Sequence, residues 1–310
     1  MGCGTHYDLA ITQEAVRRRL AVEEAEQMAA GVGYILDEEI SASQLIVMGL
    51  DFEEQQYVCC EFFILHLGMT VLGTRRRYAV DVGALGVHAT DDQKTRLQTR
   101  ANILRRKIDS WIEVQHLYIP GLRLMRIRDE NNAPSSQPVE EPVNDIKLYL
   151  PSSITIACRV ACDLRLCQME WDLRVAQAND ALDDLHDALR LRSYVYKDKD
   201  RFQKGIARNT RSRGIIDRIE VKMNAAAAHY RTARAALSGL AIRSNQGDWS
   251  VMFPPLKDGD IRGMSEADDA APSRGGRPSE GRRAMSWIWH RLGVVSPDTE
   301  ETVHEGESRH

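Results

Sequence analysis

The side chains able to do chemistry fall in a few clusters. Cys158, Cys162 and Cys167 follow one another at spacings of four and five, on or near one expected helix. A structural zinc site needs four ligands, usually as two close pairs. No second pair lies nearby, and His186 is the next candidate, so the three thiols read as small apolar residues at a helix start. Cys59-Cys60 reads the same way. Asp180, Asp183, Asp184 and Asp187 recur at helical spacing, and a wet face opposite Leu182, Leu185 and Leu189 accounts for them.

The segment 190–213 holds Arg190, Arg192, Lys197, Lys199, Arg201, Lys204, Arg208, Arg211 and Arg213 against only Asp198 and Asp200, a local charge of +7. Tyr194, Tyr196 and Phe202 are interleaved. Cations neutralise phosphates and aromatic rings stack on unpaired bases, so these nine residues are the candidate nucleic-acid-binding set. The competing reading is a solvated hairpin tip. Trp249, Trp287 and Trp289 could anchor a partner or dock on the chain's own helices.

No GxxxxGK phosphate loop, GxSxG elbow or HExxH pair occurs. The expectation is therefore a non-enzyme with no catalytic residue, no cofactor, no metal and no small-molecule substrate. The whole chain has 310 residues, a net charge of −4, 43% hydrophobic and 6% aromatic residues. That is enough length for a real core, with no overall pull toward polyanions or membranes. Met1-Gly2-Cys3 departs from the myristoylation pattern at His6. The charged first 30 residues do not read as a secretory leader, so the expectation is a soluble, non-secreted protein, nuclear or cytoplasmic, with free thiols.

The elements that must position these groups are helices. Residues 1–56 read as N-terminal helices, with Thr12 an N-cap and Gly31 and Gly33 a stop. Residues 57–74, YVCCEFFILHLGMTVLGT, read as an apolar, strand-like or poorly ordered insertion, too short and too polar to span a membrane. A long helix is expected within 75–128. There Leu97, Ala101, Leu104, Ile108, Trp111, Gln115 and Tyr118 form one seam, stopped by Pro120-Gly121.

Residues 129–143 read as a linker and 144–264 as a helical-hairpin domain. Its first seam is Leu164, Cys167, Trp171, Val175, Ala178, Leu182, Leu185 and Leu189, on a helix following Pro151-Ser152-Ser153. Its second is Ile216, Ile219, Met223, Ala226, Tyr230, Ala233, Leu237 and Leu240, after which the pattern fades past Gly239. Residues 265–310 read as a mostly disordered tail carrying SWIW. The fold expected is all-α: long antiparallel helices in a hairpin or coiled-coil bundle.

Several stretches, in order, resemble one family. They include SASQLIVMGLDFEEQQ (41–56), LGVHATDDQKTRLQTRANILRRKIDSWIEVQHLYIPG (85–121) and VNDIKLYLPSS (143–153). MEWDLRVAQANDALDDLHDALRLRSYVYKDKDRFQKGIARNTRSRGIIDRI (169–219), AAAHYRTARAALSGL (226–240), LKDGDIRGMSE (256–266) and GRRAMSWIW (281–289) follow. Together they resemble the helical region after the catalytic domain of fungal Kyakuja-Dileera-Zisupton (KDZ) transposases. Complete members carry an RNase H-like acidic domain upstream, which is not visible here, so the resemblance transfers no catalytic acid to any position. It implies a chain truncated at both ends, with 57–74 inserted into the family's pattern.

The resemblance implies an accessory module that contacts DNA or protein partners. The alternatives are a self-associating coiled-coil protein and a decayed mobile-element reading frame without function.

Overall fold

The computed structural model describes residues 11–37, 39–66, 91–132, 142–154, 160–202, 206–244, 246–264 and 285–290. The fold is all-α, and no strand occurs among the described residues. The helices are α1 (Gln13–Ala29), α2 (Ala42–His66), α3 (Asp91–Tyr118), α4 (Gly121–Asn132), α5 (Leu164–Phe202), α6 (Ile206–Ser244) and the single turn α7 (Trp249–Met252). Short 3-10 turns span Asp258–Asp260 and Trp287–His290. None of the described helices is long and apolar enough to cross a membrane.

Helix α1 shows why its sequence begins and ends it. Thr12 is extended and its hydroxyl accepts the Ala15 N–H at 3.3 Å. At the other end Gly31 adopts φ +72°. Gly31 N–H reaches Met28 O, and Val32 N–H reaches Gln27 O, each at 3.0 Å. These paired bonds satisfy the last carbonyls, and the left-handed residue between them suits glycine.

Helix α2 continues through residues 57–66, which corrects the expectation of a strand-like or poorly ordered piece starting at Tyr57. Only Val58 and Ile64 of those ten residues are β-branched, and no Gly or Pro intervenes before Gly68. A helix already nucleated upstream adds such residues at little cost. Residues 67–74 lie outside the described ones.

Pro120 ends the long helix as expected, yet a new helix, α4, starts at once at Gly121. That helix takes in 129–132, the first residues assigned to the linker. The part of the expected long helix at 75–90 lies outside the described residues.

Next comes an irregular strap, 146–150, after a turn at 143–145. With no strand beside it among the described residues, several of its carbonyls are met by side chains. Gln56 donates to Val143 O and Ile146 O at 2.8 and 2.9 Å. Gln115 donates to Leu148 O and Tyr149 O at 2.8 and 3.1 Å, and Arg126 to Lys147 O at 2.9 Å. Tyr149 sits at φ 50°, its hydroxyl donating to Asp129 and its ring under the Arg126 guanidinium.

Pro151-Ser153 forms a turn rather than opening the next helix. Helix α5 begins at Leu164, with Asp163 Oδ1 accepting the Arg165 N–H at 2.8 Å. Leu164, the first member of the expected seam, is therefore on the outer face of the first turn and 67% exposed. From Cys167 through Leu189 the seam is buried. The α6 seam is buried along its full length, and α6 runs on to Ser244.

α5 and α6 pack along each other, separated in sequence only by 203–205, and Gln246 beyond α6 reaches Gln168 near the start of α5 at 3.4 Å. Head-to-tail proximity at both ends is the arrangement of a hairpin.

α5 is buried on two sides. Cys167, Trp171, Val175, Ala178, Leu182, Leu185 and Leu189 join the α6 seam from Ile219 onward, Phe253, Leu256, Ile288 and Trp289 in one core. Leu166, Leu173 and Ala176 face a second core built from α1–α4 and the strap. Gly239 permits the strap's turn to reach the hairpin, since a Cβ there would run into the Ser152 carbonyl oxygen.

Candidate nucleic-acid interface

Of the nine basic candidates, Arg190, Arg192 and Lys197 lie on the last turns of α5, and Arg213 on the early turns of α6. The hairpin brings those two stretches to one end. Arg190, Lys197 and Arg213 are exposed and Arg192 is half-buried. Lys199, Arg201, Arg208 and Arg211 belong to the same helix ends, with side chains outside the described ones, and Lys204 lies wholly outside the described residues.

Arg190, Tyr194 and Lys197 step by four and three, which sets them in one row along α5. Tyr194 is 70% exposed, unusual for a ring of its size. Beside the row, Leu189 and Ser193 are buried. Arg190 is not wholly uncommitted. Its guanidinium lies 3.6 Å from Asp187 and 5.8 Å from the Trp289 ring centre.

The same helix carries the aspartate cluster further back. Asp183, Asp184 and Asp187 are exposed, so charge reverses sign along α5 from acidic to basic toward the tip. Asp180 departs from a purely solvated role. Its Oδ2 accepts the first N–H of α1, from Gln13, at 2.8 Å. Burial pushes its carboxyl up, partly offset by that bond. Among the described residues, no group of three or more His, Cys, Asp or Glu is gathered as a metal ligand set. Cys162 and Cys167 are free thiols with sulfurs 3.8 Å apart, and Cys158 lies outside the described residues.

The tryptophans dock on the protein's own helices. Ile288 and Trp289 are buried in the hairpin core. Trp289 stacks on His186 with ring centres 4.7 Å apart, and its Nε1 donates to Arg262 O at 3.0 Å. His186 Nε2 is 2.8 Å from Ile288 O, a bond that requires the proton on Nε2. Trp249 packs edge-on against Trp171 at 6.2 Å.

A buried ionic cluster joins α2 to the hairpin base and did not feature among the sequence candidates. Arg174, 1% exposed, reaches Glu53 at 2.5 Å and the fully buried Glu170 at 3.2 Å. Ser152 donates to Glu170 from both N–H and hydroxyl, at 2.8 and 2.6 Å. Burial raises the Glu170 carboxyl, with Arg174 and Ser152 opposing. Its signal was the i, i+4 spacing of Glu170 and Arg174 beside the apolar seam.

No protein-family model, curated protein or solved structure matches this chain.

Proposed function

We propose that this chain is a non-catalytic helical module, akin to the accessory region of KDZ-type transposases, whose hairpin tip binds nucleic acid by neutralising phosphates and stacking on bases. The observation that carries the reading is the exposed row Arg190–Tyr194–Lys197, with Arg213 at the same end. A ring between two cations fits an unpaired strand better than a duplex. The charges follow the backbone and the ring faces a base. The acidic stretch at 183–187 repels a polyanion from the hairpin shaft and confines binding to the tip. The ordered resemblance of sequence segments supports the transposase-like part of the reading.

Self-association through the two seams is less favoured, because from Cys167 onward the seam residues are buried within a single chain. That leaves little of either seam to offer a second copy.

Fluorescence anisotropy with a labelled single-stranded oligonucleotide tests the proposal. Binding is expected to weaken with salt. Arg208→Ala, Arg211→Ala and Arg213→Ala together should flatten the log–log salt slope by about 0.7 for each phosphate of the single strand left without its cation. Tyr194→Ala should cost about 1–3 kcal/mol with little change in slope. Affinity and slope unmoved by all four substitutions would refute the proposal.

A further inference from the structure

Helix α5 is entered from an irregular stretch, 160–163, and two thiols flank that entry. Cys167 is fixed on the first turns of α5 and buried, while Cys162 is half-buried on the stretch before the helix. Their sulfurs lie 3.8 Å apart, and Cys162 touches the apolar residues of both cores. A disulfide needs about 2.05 Å between sulfurs. Cys162 sits outside the regular helix, one residue before Asp163, whose carbonyl and carboxylate accept the Cys167 and Arg165 N–H groups at 3.2 and 2.8 Å, so closure by rotation of the Cys162 side chain leaves the start of α5 bonded.

We propose that Cys162 and Cys167 form a peroxide-responsive disulfide that staples the entry segment to α5. The thiolate of the pair attacks one peroxide oxygen and the O–O bond breaks. A sulfenic acid forms, and the departing hydroxide takes up a proton to become water. The second sulfur then attacks the sulfenic sulfur, the S–O bond breaks, and its own thiol proton leaves with the hydroxide as a second water. Two thiols thus lose two electrons to one hydrogen peroxide, and a dithiol reductant restores them.

The contact between the two sulfurs suits the first step. The thiol of Cys162 stabilises a thiolate on Cys167 and so draws that pKa down; burial and the Glu170 charge oppose the shift, and nearby Arg243 adds to it. The thiol left on Cys162 is correspondingly harder to ionise. Arg243 is held in place by its bond to Ile154 O at 2.5 Å.

Cys3, Cys59, Cys60 and Cys158 provide internal competition for the test. The full-length chain at about 1 µM is treated with hydrogen peroxide, blocked with N-ethylmaleimide and digested with trypsin. Cleavage after Arg159, Arg165 and Arg174 places the two sulfurs on separate peptides, 160–165 and 166–174. The expected product is that pair of peptides joined by a bond dithiothreitol removes. Two thiols already touching have an effective concentration of at least millimolar order. The internal link should therefore exceed links between chains by about 10³ at this dilution.

The proposal is overturned if both sulfurs carry maleimide while other cysteines oxidise. It is equally overturned if Cys162 or Cys167 joins Cys158 on 148–159 in preference, or if either proceeds to sulfinic acid without the link. Far-UV circular dichroism before oxidation verifies that the chain assayed is helical.

Discussion

Replacing Arg174 by methionine keeps the side-chain bulk and removes the cation that pairs with both Glu53 and Glu170. Glu53 is 35% exposed and recovers water. Glu170 is fully buried and, among the described residues, keeps the two Ser152 donors. Breaking a buried pair from one side costs about 3–5 kcal/mol. At about 2–4 °C per kcal/mol for a domain of this size, the melting temperature should fall by about 6–20 °C.

The loss carries a pH signature. Burial already raises the folded-state pKa of Glu170, and losing Arg174 raises it further. An acid raised in the folded state is penalised in full above its folded pKa, and the penalty disappears as pH falls toward the unfolded value. Relative to wild type, the variant's deficit should therefore be largest at pH 8 and smaller at pH 5. Adding Glu170→Gln should recover at least about half of it at pH 8, because no buried charge then remains. Thermal melts by circular dichroism at both pH values measure this. A deficit below about 1 kcal/mol, or one equal at pH 5 and pH 8, would refute the assignment of the cluster as a buried charge network.

Two further substitutions probe the packing. Trp289→Ala should lower stability by about 3 kcal/mol in thermal melts, since the ring is buried against His186; an unmoved melting temperature would mean the 287–290 turn does not dock. Gly239→Ala should destabilise by about 1–3 kcal/mol because the Ser152 carbonyl is backbone and cannot step aside. Gly214→Ala, where nothing lies within 4 Å of the new Cβ, should instead stabilise the same helix by about 0.5–1 kcal/mol in the same melts.

The hairpin was legible in the sequence because its signal is periodic. Ile216 through Leu240 keep one face apolar over 25 residues, and every seam member is buried. The cap at Thr12 and the stop at Gly31 were legible for the same local reason. The continuation of α2 was not, because a mostly apolar decapeptide has no periodicity to reveal, and helix and strand then differ only in what precedes them.

The start of α5 was misplaced because Pro151-Ser153 is a sound helix-start pattern whose turn is used to carry the strap past Gly239. Gln115 was read as one more seam residue. Its task of holding two strap carbonyls depends on a segment 33 and 34 residues away. At the candidate interface the charges and their reversal from aspartate to arginine along α5 were legible, while the meeting of Arg213 with the α5 row at one end needed the direction of α5 relative to α6.

The bonds from α1 to α5 set an order of events for a growing chain. The first N–H of α1 waits for Asp180, 167 residues later, and Arg19 waits for Asp172. At about 5–20 residues per second, a ribosome needs roughly 10–30 s to deliver those partners. During that interval α1 and α2 expose the apolar side chains that later face α5. Nascent chains of this protein should therefore engage holding chaperones until residue 180 has emerged, and the hairpin should close last, from its own neighbouring halves.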